Sequence, residues 1–240
     1  MKLDPRGYVV EKRLSGVRRI LAVTGWKGGI GKSSTACALA LALADAGCKT
    51  GLLDLDFTGS SDHVILGVKN EFPAEIDGLK PPVVSGVAFM GIAYFSGGHA
   101  APLRGGEISS ALLELLAVTN WGELDYLVLD MPPGISDAAL DALKFFKRAE
   151  LIAVTTPSVL SQITLERSLE MFKGLAKFAG IVENLSGLGP KASYAGLPVL
   201  AKIPYDPQWE NAVGSPAAIR KTSFFLELKK NLTPALLRGQ

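Results

Sequence analysis

The chain of 240 residues is poor in side chains that bind soft or borderline metals, with two cysteines and two histidines. Cys37 and Cys48 are separated by ten residues, so they form neither a CxxC motif nor a disulfide framework, and we expect both to be small core residues. His63 and His99 fall in separate predicted loops. We expect each to be a lone polar residue, with a two-histidine site as the alternative, because a stable site needs at least three or four converging ligands.

The chain also has little net charge and lacks long apolar runs. The net charge is +2 and the basic residues are spread along the chain, which does not favour a nucleic-acid partner. No apolar run approaches the roughly 20 residues of a membrane span, and the N-terminus is charged where a secretory signal is apolar. We therefore expect a soluble, cytoplasmic, globular protein.

Apolar runs that alternate with helical patterns indicate an α/β fold. Seven runs are typical of strands buried on both faces, at residues 18–24, 50–56, 87–94, 124–132, 150–157, 179–185 and 197–204. Amphipathic stretches over 33–47 and 159–180 are typical of helices. The sequence predicts a single domain over residues 1–240, with a doubly wound, mostly parallel sheet of about seven or eight strands and helices on both faces. Residues 68–86 are expected to form a surface excursion.

A glycine-rich stretch, TGWKGGIGKSS at residues 24–34, follows the first predicted strand and opens the first predicted helix. It ends like a phosphate-binding loop, but Trp26 occupies the position of the first glycine in the general pattern. An anion would be surrounded by backbone N–H groups of the loop and the helix N-terminus. The residues expected to form this cradle are Gly28, Gly29, Ile30 and Gly31. Lys32 would reach the β- and γ-phosphates, Ser33 would bind magnesium, and Ser34 would lie toward the α-phosphate.

The segment KGGIGKS resembles the deviant Walker motif of the Mrp/MinD/ParA (SIMIBI) class of P-loop ATPases. The resemblance implies ATP or ADP and Mg²⁺ as cofactors and an ATP-dependent homodimer. It also implies that Lys27 crosses the dimer interface to the partner's phosphates and couples dimerisation to hydrolysis; a solvated loop lysine is the alternative. The residue before this lysine varies in the class, so Trp26 is compatible with an intact loop. A third reading is an inactive interaction module with the same fold. That reading would require substitutions in the catalytic residues beyond the tryptophan at position 26.

Further roles are implied by the resemblance at the predicted carboxyl ends of strands. Asp54 would contribute to the magnesium shell, and Asp56 would orient or deprotonate the attacking water. Asp130, at the end of a Walker B strand, would hold a magnesium-bound water, and the Gly134 N–H would sense the γ-phosphate. Helix caps or loop residues are the alternatives for the aspartates. The residues expected at the adenine are Asn184, Pro204, Tyr205 and Asp206.

Longer stretches, including DLDFTGSSDHVILG and WGELDYLVLDMPPG, resemble the Mrp branch, which handles metals. Most of that branch shares an iron–sulfur cluster through a CxxC after the EN segment, but residues 183–198, ENLSGLGPKASYAGLP, contain no cysteine. The resemblance is strongest to archaeal cysteine-less members such as ATPase-type HypB. It implies a slowly hydrolysing switch in metallocentre maturation, possible nickel delivery with a metal-carrying protein partner, and no iron–sulfur cluster.

Two alternatives stay open, an iron–sulfur cluster carrier of Mrp type and a MinD/ParA-like positioning ATPase on membrane or DNA. The second would need a basic amphipathic tail, and Pro234 interrupts that pattern in FFLELKKNLTPALLRGQ. We expect the last helix to pack on the sheet instead. The residues expected to make this contact are Phe224, Phe225, Leu226, Leu228 and Leu232. Arg104 would either pair with the switch carboxylates or be solvated.

Overall fold

A computed structural model describes residues 5–96, 106–134, 136–172, 174–189, 194 and 196–237. The strands are β1 Val17–Thr24, β2 Thr50–Asp54, β3 Ala74–Glu75, β4 Leu79–Lys80, β5 Val83–Val84, β6 Val87–Gly91, β7 Leu124–Asp130, β8 Ala149–Thr155, β9 Lys177–Ser186 and β10 Val199–Pro204. The helices are α1 Arg6–Arg13, α2 Lys32–Asp45, α3 Asp62–Ile65, α4 Ala93–Ser96, α5 Gly106–Val118, α6 Asp137–Phe145, α7 Val159–Phe172, α8 Trp209–Ala212, α9 Pro216–Ile219 and α10 Ser223–Leu237.

Eight of the strands form one sheet in the order β10-β9-β8-β1-β7-β2-β6-β5. Neighbouring strands are parallel except β5 and β6, which pair antiparallel. β1 lies between β7 and β8, and the chain winds outward from it in both directions. The predicted doubly wound, mostly parallel α/β fold is therefore confirmed. In such sheets ligands bind at the carboxyl ends of the strands, where the winding reverses.

Each face of the sheet is covered by helices. Side chains alternate along β1, so Leu21 and Val23 join one core with α2 and α10, whereas Ile20 and Ala22 join the opposite core with α1, α5 and α6. α2 is apolar on most sides because it lies between the sheet and α10. This burial holds the first turn of α2 at the carboxyl edge of β1.

Two predicted boundaries are wrong. The helix predicted over residues 159–180 ends at Phe172, and β9 begins at Lys177. Gly174 between them has a φ of +83°, a left-handed conformation that ends a helix. The strand predicted over residues 87–94 ends at Gly91, because the chain turns there into α4. The predicted excursion at residues 68–86 holds a short β3–β4 hairpin and also supplies β5, the eighth strand of the sheet.

The last helix packs on the sheet, as predicted. The buried side chains of α10 include Phe224, Phe225, Leu228, Leu232 and Leu236. Leu226 was also expected to pack but is 52% exposed, since it lies on the opposite side of the helix. Within the described ranges, no helix is long and apolar enough to cross a membrane.

The same substitution at two positions of α10 tests this packing. Leu228→Ala should lower the free energy of unfolding by about 2–5 kcal/mol, because it leaves a cavity against the sheet. Leu226→Ala is the control and should change it by less than about 1 kcal/mol, because that side chain is largely exposed. Urea unfolding followed by circular dichroism measures both. Equal effects would mean that α10 does not pack as described.

Candidate functional site

The glycine-rich loop connects the central strand β1 to α2. Gly29 and Gly31 have φ values of +74° and +87°, which favour glycine because other residues rarely adopt this conformation. A Cβ atom on Gly31 would also collide with the side-chain amide of Asn184. Gly31 is the N-cap of α2, so Lys32 and Ser33 occupy the first helical turn, where backbone N–H groups have no partner within the helix. The loop therefore has the geometry of an anion site.

Trp26 lies beside this loop without entering its concave side. Its ring centroid is 6.2 Å from that of Phe172 on α7, and its indole N–H is buried without a hydrogen-bond partner among the described residues. The ring is absent from the lining of the cavity described next. The tryptophan thus replaces the usual first glycine by packing outward against α7.

A cavity of about 570 Å³ opens over the loop, a size typical of small-molecule sites. The predicted site residues that line it are Lys27, Gly28, Gly29, Ile30, Gly31, Lys32, Ser33, Ser34, Asp56, Asn184, Tyr205 and Asp206. Gly134 and Pro204 are not among its lining residues. The Gly134 N–H instead donates a hydrogen bond to the Gly25 carbonyl at 3.2 Å. The structure thus brings most of the predicted residues around one space.

The lining of the cavity includes an aromatic wall that the sequence did not predict, formed by Trp209 and Phe224. The two rings pack against each other with their centroids 4.4 Å apart and their planes tilted by 43°. The Asp206 carboxylate accepts hydrogen bonds from the backbone N–H groups of Phe224 at 2.8 Å and Gln208 at 2.9 Å. Burial alone would raise the pKa of Asp206. The hydrogen bonds lower the pKa by more than burial raises it, so it lies below its ordinary value. Asp206 therefore holds the wall in place.

Asn184, near the end of β9, lines the cavity and contacts the glycine-rich loop. Its Nδ2 donates to the Ile30 carbonyl at 2.9 Å, and its Oδ1 accepts from the Leu185 N–H at 2.9 Å. A side-chain amide has two donors and two acceptor lone pairs. One donor and one lone pair of this amide are thus left for a ligand.

Beneath the loop lies a buried charged centre. Asp54 and Asp130 end β2 and β7 in parallel register, and both are 0% exposed. Lys32 Nζ lies 2.7 Å from Asp130 Oδ1. Burial raises the pKa of Asp130 and the nearby lysine opposes that rise only in part, so the pKa stays above its ordinary value. Burial lowers the pKa of Lys32, but the charge of Asp130 more than offsets this effect and the pKa is raised.

Two aspartates organise the segment after β2. Asp54 Oδ1 accepts the Asp56 N–H at 3.0 Å, and its Oδ2 accepts the Ser60 hydroxyl at 2.7 Å. Asp56 Oδ1 accepts the Gly59 N–H and the Thr58 hydroxyl, both at 2.9 Å. The Asp56 carboxylate is half-buried at the cavity, whereas Asp54 is enclosed beneath it. The two carboxylates therefore have different access to a ligand.

Asp62, on α3, is a third buried carboxylate that sequence reasoning missed. One oxygen each of Asp54, Asp62 and Asp130 lie within 4.8 Å of one another. Asp62 Oδ2 and Asp130 Oδ2 are buried without a hydrogen-bond partner among the described residues. Such an oxygen-only set fits a hard cation such as Mg²⁺. Only the chain path after β2 brings Asp62 here, and no local motif marks it.

Among the residues that the structure describes, the soft-ligand candidates Cys37, Cys48 and His63 do not converge. Cys37 is fully buried and its thiol lies 3.3 Å from Asp62 Oδ1, whereas Cys48 precedes β2, at the opposite end of that strand from Asp54. His63 Nδ1 lies 3.4 Å from the Ser60 hydroxyl. The predictions for His99 and Arg104 fall outside the described residues.

Comparisons with known proteins agree with this geometry. The family model described as the NUBPL iron-transfer P-loop NTPase matches residues 16–195. The chain is 42% identical over 177 residues to an iron–sulfur cluster carrier protein of Escherichia coli K12, covering 72% of this chain and about half (48%) of that relative. A relative with the same name from Pseudomonas fragi is 37% identical, covering 80% of this chain and 74% of its own length.

Solved structures share the fold. A nucleotide-binding protein from Archaeoglobus fulgidus in complex with ADP has a TM-score of 0.75 and 27% identity, covering 92% of this chain and 96% of that one. The cell-division ATPase MinD of Pyrococcus furiosus has a TM-score of 0.67 and 20% identity, covering 90% and 99% of the two chains. The second likeness shows the fold alone. The resemblance to the Mrp/MinD/ParA class is thereby confirmed, whereas the likeness to HypB stays a prediction.

Removal of the buried lysine charge tests the charged centre. Lys32→Ala should lower the free energy of unfolding of the nucleotide-free protein by about 3 kcal/mol or more, because Asp130 loses its counter-ion. The exposed Lys27→Ala is the matched control, with a change within about 0.5 kcal/mol. Urea unfolding at pH 7 measures both, and the double variant Lys32→Ala/Asp130→Asn should recover part of the loss. Equal losses in the single and double variants would contradict the pairing.

Proposed function

The chain belongs to the family of NUBPL iron-transfer P-loop NTPases, and we propose that it is an ATP-binding, slowly ATP-hydrolysing dimerisation switch in metallocentre maturation. The observation that carries this proposal is the position of Lys32. Its ammonium group lies at the first turn of α2, between a nucleotide-sized cavity and three buried carboxylates. We also propose that residues 1–240 act as one domain in the cytoplasm.

The phosphates of ATP would bind at the loop. Residues Gly28 to Ser34 line the cavity, so their backbone N–H groups would bind the phosphates, and Lys32 would exchange part of its contact with Asp130 for the β- and γ-phosphates. Ser33, Asp54 and Asp130 would hold Mg²⁺ and its water shell. Mg²⁺ would neutralise negative charge on the β- and γ-phosphates while the γ-phosphoryl group is transferred to water and ADP leaves. The hydroxyl and carboxylate oxygens present suit that ion.

The attacking water would be handled by Asp56. Its carboxylate reaches the cavity from a turn that it stabilises itself, so a change in that turn would move the carboxylate. Gly134 follows β7 and would release its hydrogen bond to Gly25 when its N–H turns to the γ-phosphate. Both changes would depend on the γ-phosphate, which is the property of a nucleotide switch.

The adenine would lie at the aromatic end of the cavity. Asn184 would use its remaining donor and acceptor on the base edge, and Tyr205 would lie over the ring next to Trp209. Asp206 would act indirectly, because its carboxylate is already engaged by two backbone N–H groups. Pro204 would set the start of this turn at the end of β10.

The dimer would form over the loop. Lys27 is exposed at the mouth of the cavity, so its ammonium group is accessible to a second copy of the chain. We propose that it contacts the partner's phosphates and makes hydrolysis depend on dimerisation. The fold-level likeness to MinD is compatible with the alternative of a positioning ATPase, but the apolar face of α10 is buried on the sheet.

For the metal handled, the relatives favour the iron–sulfur alternative over nickel delivery, which no comparison supports. Relatives up to 42% identical are named iron–sulfur cluster carrier proteins. This chain has no cysteine at residues 183–198, and Tyr194 in that connection donates a hydrogen bond to the buried Glu183 at 2.6 Å. We propose that the chain serves iron–sulfur cluster assembly as a switch, with the cluster held by a protein partner.

Two variants separate dimerisation from hydrolysis. Lys27→Ala should bind Mg-ATP within about threefold of wild type but stay a monomer, because the loop that binds its own nucleotide is intact. Asp56→Asn should bind Mg-ATP and accumulate as a dimer, because it lacks only the carboxylate that handles water. Calorimetry and light scattering measure affinity and mass. Dimerisation of Lys27→Ala, or normal turnover by Asp56→Asn, would contradict the assigned roles.

Iron and sulfide reconstitution tests where the cluster is held. The protein alone should remain colourless after anaerobic reconstitution, because Cys37 is buried beside a carboxylate and Cys48 lies far along the chain from residues 183–198. Absorption spectra and iron analysis per chain provide the readout. A reconstituted E. coli relative serves as the positive control. A stable, stoichiometric cluster on this chain would show that the chain itself supplies the cluster ligands, and would contradict the proposal that a partner holds the cluster.

A further inference from the structure

We propose that Asp62 completes a binding site for one divalent cation of the Mg²⁺ or Mn²⁺ type, together with Asp54 and Asp130, and that this site fills without nucleotide. The inference rests on the proposed function for the placement of Asp54 and Asp130 at the metal. Asp62 would be a metal ligand that lies outside the phosphate loop and outside the ends of β2 and β7. The cation would bind to the protein even when no nucleotide is present.

The position of Asp62 is fixed by Asp54. Asp54 Oδ2 accepts the backbone N–H groups of Ser61 at 3.2 Å and Asp62 at 3.3 Å. These bonds turn the start of α3 back over the end of β2, so the Asp62 side chain is enclosed with 0% exposure. The same carboxylate that would contact the ion therefore places the third ligand beside it.

The hydrogen bonding of this centre is incomplete. Lys32 neutralises one carboxylate through Asp130 Oδ1, and the Cys37 thiol gives Asp62 Oδ1 a weak, uncharged donor at 3.3 Å. Asp62 Oδ2 and Asp130 Oδ2 are enclosed with no partner among the described residues. An unsatisfied buried acceptor destabilises the folded state, and a charged one does so more strongly. A cation held by these carboxylates would supply a partner for such oxygens.

The spacing fits a single ion. The three ligand oxygens lie within 4.8 Å of one another. Oxygens on opposite sides of an ion bound at about 2.1–2.4 Å lie roughly 4–5 Å apart, so small side-chain movements close the site. Water molecules would complete the coordination, as is usual for Mg²⁺.

The donor chemistry selects a hard cation. The Cys37 thiol is fully buried 3.3 Å from Asp62 Oδ1, and the three carboxylates outnumber this single sulfur. Carboxylate oxygens alone suit Mg²⁺ and Mn²⁺.

Titration of the nucleotide-free protein with Mn²⁺ tests the site. Electron paramagnetic resonance of free Mn²⁺ at pH 7 should show one ion bound per wild-type chain. Asp62→Asn should weaken this binding at least tenfold, because it removes a charged ligand. Asp137→Asn, at an exposed aspartate in the first turn of α6, is the matched control and should bind as the wild type does. Absence of Mn²⁺ binding to the wild type, or equal affinity in Asp62→Asn, overturns the proposal.

A second measurement separates this inference from the proposed function. ADP binding in EDTA, measured by calorimetry, reports the phosphate loop alone and should be similar in wild type and Asp62→Asn. If ADP binds but Mn²⁺ does not bind without it, the cation site fails and the nucleotide site stands. If ADP does not bind either protein, the proposed function fails. If Asp62→Asn does not fold, the wild-type titration decides, since it needs no variant.

Discussion

The ion pair between Lys32 and Asp130, with Nζ and Oδ1 2.7 Å apart, connects the parts on which the site depends. Lys32 belongs to the first turn of α2, and Asp130 ends β7 beside Asp54 of β2. A buried ion pair is weak evidence for a stabilising role, because apolar residues often serve a core as well or better. A cluster of three carboxylates around one lysine is explained if the lysine also binds an anion and the carboxylates also bind a cation. The central strands of the sheet would then hold Lys32 next to the phosphates and the carboxylates next to the cation.

Much of the fold and of the loop could be predicted from local sequence. Strands buried on both faces leave uninterrupted apolar runs, and a phosphate loop has a fixed spacing of glycine, lysine and serine. The end of α7 was missed, because the left-handed Gly174 interrupts a pattern that looks helical further on. Asp62 and the Trp209–Phe224 wall were missed for another reason. Their neighbours come from distant segments, so only the folded chain brings them to the cavity.

The fold indicates which kinds of ligand the site can bind more clearly than it indicates which metal or cluster the protein handles. A nucleotide-sized cavity, a helix N-terminus and buried oxygen ligands favour phosphate and a hard cation. The iron–sulfur process is proposed from relatives, one of which this chain matches over about half its length (48%). Tyr194 and Glu183 form a hydrogen bond in the connection where most of the Mrp branch carries cysteines. A switch that acts on a metal-carrying partner is our proposal for this chain.

We propose that ATP binds in the space above Lys32 and is hydrolysed there. The most direct test of this proposal is calorimetric titration of the wild-type protein with Mg-ATP, followed by phosphate release from the same sample. We expect one ATP per chain, a Kd in the micromolar range (about −8 kcal/mol at 1 μM), and slow phosphate release that stops when EDTA removes the Mg²⁺. Absence of binding heat at millimolar ATP, with no phosphate released, would contradict it.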